Sequence, residues 1–214
     1  MINTVVFDLD GTLLDTNDLI ADSWSYTLKT LTGRGITDEE IRGTMGELLA
    51  DSMRRLMPEI DTEEALDVYR MYQREIFLGS IKLYEGVEET LRELHGAGVK
   101  CALLTSRLRP STVKALDHYG ITDLFEAVLT ASDTEVFKPD PAPIFQILDI
   151  IGSRPEEAML LGDTVHDIEA GLAAGVFTVL VGWSYALPPE ERESAPKPDA
   201  VIEKMRDILT LVSV

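Results

Sequence analysis

The amino-acid sequence predicts an α/β fold: a parallel sheet built from alternating strands and helices, with a block of helices inserted near its start. Three observations lead there. Thr4-Val5-Val6-Phe7 is a β-branched, apolar run of the kind that forms a strand buried on both faces. From residue 85 onward, strand-length apolar runs alternate with segments of helical period, which implies βαβ units. Between these two regions, the spacing is helical throughout. The expected organisation is therefore a core domain made of residues 1–15 and 81–214 and a helical domain of residues 16–80.

In chain order, the first strand ends in Asp8-Leu9-Asp10-Gly11, two carboxylates one residue apart and then a glycine that lets the chain turn. If the strand persists that far, alternation places Asp8 and Asp10 on one side. Two such carboxylates repel; they suit a polyvalent cation or a shared proton. Alone, the stretch also fits an Asp-Gly hairpin turn. The inserted block begins with Ile20, Trp24, Leu28 and Leu31 at helical spacing, ended by Gly33. Thr37 with Glu40 forms a capping box for a short helix. Leu48, Leu49, Met53 and Leu56 mark the next helix, closed by Pro58. Asp61 with Glu64 caps a further helix running to Gly79. Loop 42–46 carries two glycines that permit close backbone approach, so it is a candidate substrate-facing segment, and equally an interhelical turn.

The core then resumes with a helix (Val87, Leu91, Leu94) and a strand at Val99–Leu104 leading into Thr105-Ser106. A helix from Pro110 stops at Gly120, and Ala127–Leu129 is a short strand. Asp140-Pro141 reads as a cap and first-turn proline for the helix that carries Ile144, Ile147, Leu148 and Ile151. Strand Ala158–Leu161 ends at Gly162-Asp163, ahead of a helix carrying Ile168 and Leu172 and closed by Gly175. Phe177–Val181 is a strand, 187–198 a surface loop with a helical turn, and Ala200–Ile202 a strand before a last helix from about residue 203.

Composition bounds the function. The 214 residues are 45% hydrophobic, enough for a sizeable core. Against 19 basic residues stand 38 acidic ones, a net charge of −19, which argues against a nucleic-acid partner and gives no hint of affinity for anionic membranes. An anionic substrate approaches such a chain only with help from a metal or a lysine. The single cysteine, Cys101, excludes an intramolecular disulfide, fits the reducing cytoplasm, and reads as a buried small hydrophobe. No apolar run reaches the roughly 20 residues of a membrane span, and no secretion signal is evident at the start.

Ligands of parallel α/β sheets bind beyond the C-terminal ends of strands. Such ends here carry Asp8 and Asp10, Thr105 and Ser106, and Asp163 and Asp167, with Lys138 just ahead of a helix. Singly, each has a bland explanation: a helix cap, a turn, a solvated charge, and for His166 a solvent-facing side chain. Jointly, a lysine, a hydroxyl and several carboxylates at one rim make a metal-plus-phosphate site.

Four stretches carry a resemblance: Asp8-Leu9-Asp10-Gly11-Thr12-Leu13, Leu104-Thr105-Ser106, Lys138-Pro139-Asp140-Pro141, and Gly162-Asp163-Thr164-Val165-His166-Asp167-Ile168-Glu169-Ala170-Gly171. Over residues 4 to about 181 the chain resembles the haloacid dehalogenase (HAD) superfamily, in its phosphoglycolate phosphatase and pyrophosphatase-like group. The resemblance implies a Rossmann-like parallel sheet core, the HAD fold, with an inserted α-helical cap domain. It implies Asp8 as nucleophile, and Asp10 as general acid and then base. It implies Mg2+ on Asp8, the Asp10 backbone carbonyl and Asp163. Thr105, Ser106 and Lys138 would bind phosphate, and Asp167 would support the metal or Lys138. The expected protein is a cytoplasmic, Mg2+-dependent phosphatase hydrolysing a small phosphorylated metabolite, phosphoglycolate-like or pyrophosphate, through an aspartyl-phosphate. Its oligomeric state is not legible.

Other classes remain. A dehalogenase of the superfamily needs no acid two residues after the nucleophile, so Asp10 favours phosphoryl transfer. A β-phosphoglucomutase-like mutase resembles the chain too, but such members tend to carry an acid where Gly162 stands. A non-enzymatic phospho-receiver shares the acid cluster, hydroxyl and Lys-Pro, yet has no place for a helical insertion.

Overall fold

The computed structural model describes residues 1–212. In chain order the strands are β1 (Thr4–Phe7), β2 (Leu14–Asp15), β3 (Lys82–Leu83), β4 (Lys100–Leu104), β5 (Ala127–Leu129), β6 (Ala158–Gly162), β7 (Phe177–Val181) and β8 (Ala200–Ile202). The helices are α1 (Asn17–Thr32), α2 (Asp38–Arg42), α3 (Leu49–Leu56), α4 (Thr62–Ile76), α5 (Val87–Gly96), α6 (Arg109–Tyr119), α7 (Ala142–Ile151) and α8 (Val165–Ala174). Two compact units result, Met1–Leu14 with the described residues from Leu83 onward, and Asp15–Lys82.

In the first unit six strands form a sheet in the order β5-β4-β1-β6-β7-β8, with every neighbouring pair parallel. The chain leaves β1 to build one side (β4, β5), then returns to build the other (β6, β7, β8). The direction of winding therefore reverses around β1, where α/β folds open a crevice. Register matters more than order. Phe7 lies opposite Leu103 on β4 and Leu161 on β6. The residues that follow, Asp8, Leu104-Thr105 and Gly162-Asp163, therefore emerge level with one another at the C-terminal edge.

Alternation along the strands divides their side chains between two buried faces. Val6, Ala102, Leu104, Leu129 and Leu160 pack in one cluster with Ile144, Ile147, Leu148 and Ile151 of α7 and Ala170 and Ala174 of α8. Phe7, pointing the other way, meets Phe125 edge-on at 6.2 Å. Each fully buried aliphatic of α7 contributes roughly 1.5–3 kcal/mol relative to exposure. Cys101 is buried, and burial, followed by the nearby Glu126, pushes its thiol up to about 12, so it packs as a hydrophobe.

The helical unit has its own core: Trp24, Leu28, Met53, Met57, Ala65, Leu66 and Tyr69. Trp24 meets Tyr69 edge-on at 5.2 Å. Ser23 and Thr27 share the buried face of α1, and each hydroxyl donates to a carbonyl four residues back, Leu19 at 2.6 Å and Ser23 at 2.7 Å. The capping box of Thr37 and Glu40 is present, and Asp61 accepts from the amides of Glu63 and Glu64. Loop 42–46 is held from one side by Arg55, whose Nη2 donates to Gly43 O and Glu47 Oε2, both at 2.7 Å.

The sequence expectations need correction at several points. β1 ends at Phe7, so Asp10 lies past the strand; alternation does not set its direction, and a turn tied by Gly11 N to Leu14 O does. Helix α7 starts at Ala142, because the Asp140 carboxylate accepts from the Ala142 amide and Pro141 takes the capping position. The Lys138–Pro139 peptide bond is cis. Leu172 is 45% exposed, whereas Ile168 is buried. The final helix is a 3-10 segment, Met205–Thr210. No helix among the described residues is long and apolar enough to cross a membrane.

Candidate active site

The C-terminal edge gathers four acids. The Asp8 amide donates to Leu161 O at 2.9 Å, carrying the ladder one residue past β1 and fixing the backbone from which its carboxylate projects. Asp163 follows β6. Its carbonyl accepts from Ser184 Oγ at 2.6 Å, and that hydroxyl in turn accepts from the Leu187 amide. Asp167 sits in the first turn of α8, where Thr164 and Asp167 form a reciprocal capping box. Its Oδ2 accepts from the Thr164 amide at 3.0 Å and the Thr164 hydroxyl at 2.6 Å.

Lys138 crosses this cluster. Its ammonium donates to Asp167 Oδ1 at 2.5 Å, Asp8 Oδ1 at 2.7 Å and Leu104 O at 3.3 Å. All three of its N–H donors are thereby used. Lysine is almost never this deeply buried unless paired, and here the pairing is complete.

Electrostatics follow from burial and crowding. Burial, with repulsion from Asp167 and Asp10, pushes the Asp8 carboxyl up to about 7 against the pull of Lys138. Burial also raises Asp163 well above the usual carboxylate range, with Asp8 and Asp167 adding to it. For Asp167 burial raises as well, but Lys138 and Thr164 win and hold it below that range. Burial lowers Lys138, yet the two carboxylates it touches outweigh this and raise it.

The donor set fits a hard divalent cation. Carboxylate oxygens of Asp8, Asp163 and Asp167 lie within 4.8 Å of one another, all buried. Asp163 Oδ1 is buried with no hydrogen-bond partner among the described residues, which is costly for a carboxylate unless a cation meets it. Both oxygens of Asp167 are already engaged, by Lys138 and Thr164. The oxygens open to a cation belong to Asp8 and Asp163, and Asp167 acts on Lys138.

Two glycines make room. A Cβ at Gly11, whose φ is +79°, would overlap the Asp163 carboxylate. A Cβ at Gly162 would overlap the Asp167 side chain, so an acidic residue there has no space beside this aspartate.

Thr105 is buried. Its amide donates to Leu129 O, and its Oγ1 accepts from the Arg107 amide at 3.1 Å, leaving the hydroxyl proton to donate elsewhere. Ser106 is half-buried. Asp10 is bound by Arg107, a residue that carried no role in the sequence reading. Thr164 and Ser184 were missed likewise; only the capping-box spacing Thr164…Asp167 signalled one of them. His166 is half-buried, and its Nδ1 is buried with no hydrogen-bond partner among the described residues.

A parallel sheet with a winding reversal at β1, an aspartate directly past that strand, and a buried lysine bonded to it define a class. The chain belongs to the haloacid dehalogenase-like hydrolases, whose family profile matches residues 5–181. It is an enzyme of the phosphatase kind in that family. Among relatives, it is 37% identical to the pyrophosphatase PpaX of Halalkalibacterium halodurans, over 100% of this chain and 98% of that protein. A solved structure from Haemophilus somnus, described as a predicted phosphoglycolate phosphatase, is 26% identical with a TM-score of 0.80, covering 98% of this chain and 97% of that one. A haloacid dehalogenase-like family hydrolase from Streptococcus pneumoniae shares the fold, with a TM-score of 0.86 at 24% identity and 98% of each chain covered.

Proposed function

We propose that the chain is a Mg2+-dependent phosphatase acting on a small phosphorylated metabolite or on pyrophosphate through an aspartyl-phosphate on Asp8. The observation that carries this is the 2.7 Å contact from Lys138 to Asp8 Oδ1 within a buried acid cluster. Lys138 aims one oxygen of Asp8 and offsets the charge that would otherwise repel a phosphate dianion. Asp8 and Asp163, with the Asp10 backbone carbonyl, would hold the metal. When bound, Mg2+ supplies positive charge against the phosphoryl oxygens and the crowded carboxylates.

Asp8 attacks phosphorus, forming an Asp8 O–P bond as the P–O bond to the leaving group breaks. Asp10 gives its proton to the leaving oxygen. Water then attacks the phosphoryl group, Asp10 takes the proton, and the Asp8 carboxylate departs. Thr105 donates to a non-bridging oxygen, with Ser106 beside it and Lys138 balancing charge. The helical unit is read as the cap domain. The absence of side-chain space at Gly162 supports hydrolysis over a mutase that carries an acid there. The relatives' names support a diphosphate or small phosphate ester as substrate. A cytoplasmic location belongs to the same reading.

The test is a rapid quench with phosphorus-labelled substrate, with and without EDTA, on the wild type and Asp8→Asn. A label on the protein that hydroxylamine removes, absent in Asp8→Asn, is expected. Undiminished turnover after chelation, or in Asp8→Asn, overturns the reading.

A further inference from the structure

Arg107 grips Asp10 with both arms of its fork. Nε lies 2.9 Å from Oδ2 and 3.2 Å from Oδ1, and Nη2 lies 2.8 Å from Oδ1. The guanidinium side chain is 7% exposed, against 24% for Asp10. Its own amide is tied to Thr105 Oγ1, so the arginine is rooted at the end of β4, beside the phosphate-facing hydroxyl.

Two consequences follow. Both oxygens of Asp10 face the guanidinium, so in this arrangement Asp10 does not present a proton to a leaving oxygen. Something must take its place on the fork first. The planar fork that fits a carboxylate fits a phosphate equally well, and it binds either in the bidentate mode a lysine cannot match. Meanwhile Lys138 has no donor left, and three carboxylates at this rim, Asp8, Asp167 and Asp10, are held by Lys138 and Arg107. Of these two cations, Arg107 has the partner nearer to solvent.

We propose that Arg107 is a second anion-binding group of the site. A second anionic substituent on the substrate, the far phosphate of a diphosphate or a carboxylate near the ester oxygen, replaces Asp10 on the guanidinium and so frees Asp10 for proton transfer. No covalent bond changes in this exchange; one anion leaves the fork as another enters. The substrate class is thereby narrowed to phosphate esters and anhydrides carrying a second negative charge on the leaving side. This rests on the phosphatase reading above.

The test compares kcat/KM for pyrophosphate, 2-phosphoglycolate and the neutral counterpart 2-hydroxyethyl phosphate, in the wild type, Arg107→Gln and Arg107→Lys. The wild type is expected to prefer an anionic substrate by about ten- to a hundredfold, the range of a hydrogen bond between charged groups. Which of the two anions gains shows whether phosphate or carboxylate fills the fork. Arg107→Gln brings the ratio toward unity, chiefly through KM of the anionic substrates, and Arg107→Lys retains part of it. A wild-type ratio within about twofold of unity overturns the proposal without any variant, and so does a ratio that Arg107→Gln leaves unchanged. Hydrolysis without preference sinks only the Arg107 assignment. Hydrolysis of none of the three substrates sinks the phosphatase reading as well.

Discussion

Asp167 and Lys138 meet at 2.5 Å, with side chains 1% and 6% exposed. Asp167 is fixed by the cap of α8, and Lys138 is fixed by Asp167, so a helix start ultimately aims the ammonium at Asp8. Breaking a buried pair leaves one charge uncompensated, which costs about 3–5 kcal/mol.

Lys138→Met should therefore both unfold more easily and lose turnover. The expected loss of stability is about 3–5 kcal/mol, read from urea midpoints at constant slope. Excess Mg2+ should restore part of it, since the abandoned carboxylates become metal ligands. A variant as stable as the wild type in chelator would refute the buried pairing.

Asp163→Asn should abolish the thermal response to Mg2+. A ligand at a hundred times its dissociation constant stabilises by about 2.7 kcal/mol, visible as a rise in Tm of the wild type. In chelator, the same substitution should not destabilise, because a crowded, unpaired carboxylate is removed. A wild-type Tm indifferent to Mg2+ would count against the metal site.

Gly11→Ala should cost activity and stability together. The left-handed backbone alone costs an alanine about 1 kcal/mol or more, and the added methyl collides with Asp163. Wild-type Mg2+ affinity in Gly11→Ala would show that Asp163 is not where the turn meets it.

Acid should erase one surface contribution. Arg109 Nε and Nη2 hold Asp133 at 3.0 and 2.6 Å, and Thr130 donates to it from both its amide and its hydroxyl. The Arg109 hydrogen bond leads in holding the Asp133 carboxyl down to about 2, from 3.8. A depressed carboxyl stabilises above its unfolded pKa and loses that as pH falls through its folded one. The pair is partly solvated, so Asp133→Asn should cost about 1 kcal/mol at pH 7. The gap from wild type should narrow between pH 4 and 2, in urea titrations at each pH. A gap constant with pH would show that the charge contributes nothing.

Much of the fold was readable residue by residue. The strand at Phe177–Val181 and the caps at Thr37 and Asp61 match, because alternation and capping act within a few residues. The end of β1 was not readable. Leu9 O accepts from the amides of Thr12, Leu13 and Leu14, so the turn that Gly11 announces begins before Asp10, and the sequence alone does not fix that boundary. On α8, Leu172 is exposed and His166 half-buried, because burial there depends on what packs against each position, which spacing alone does not give.

The sequence by itself determined the alternation of strands and helices, the inserted helical block, the acids that follow the strands and the lysine ahead of α7. Those follow from short-range preferences and from side chains the chemistry cannot replace. Only the tertiary structure decided the partners. Arg107 reaches Asp10 across 97 positions, and Lys138 reaches Asp8 across 130. Several carboxylates compete for two cations there, and the register of β1 with β4 and β6 sets their distances, which no local pattern of residues contains.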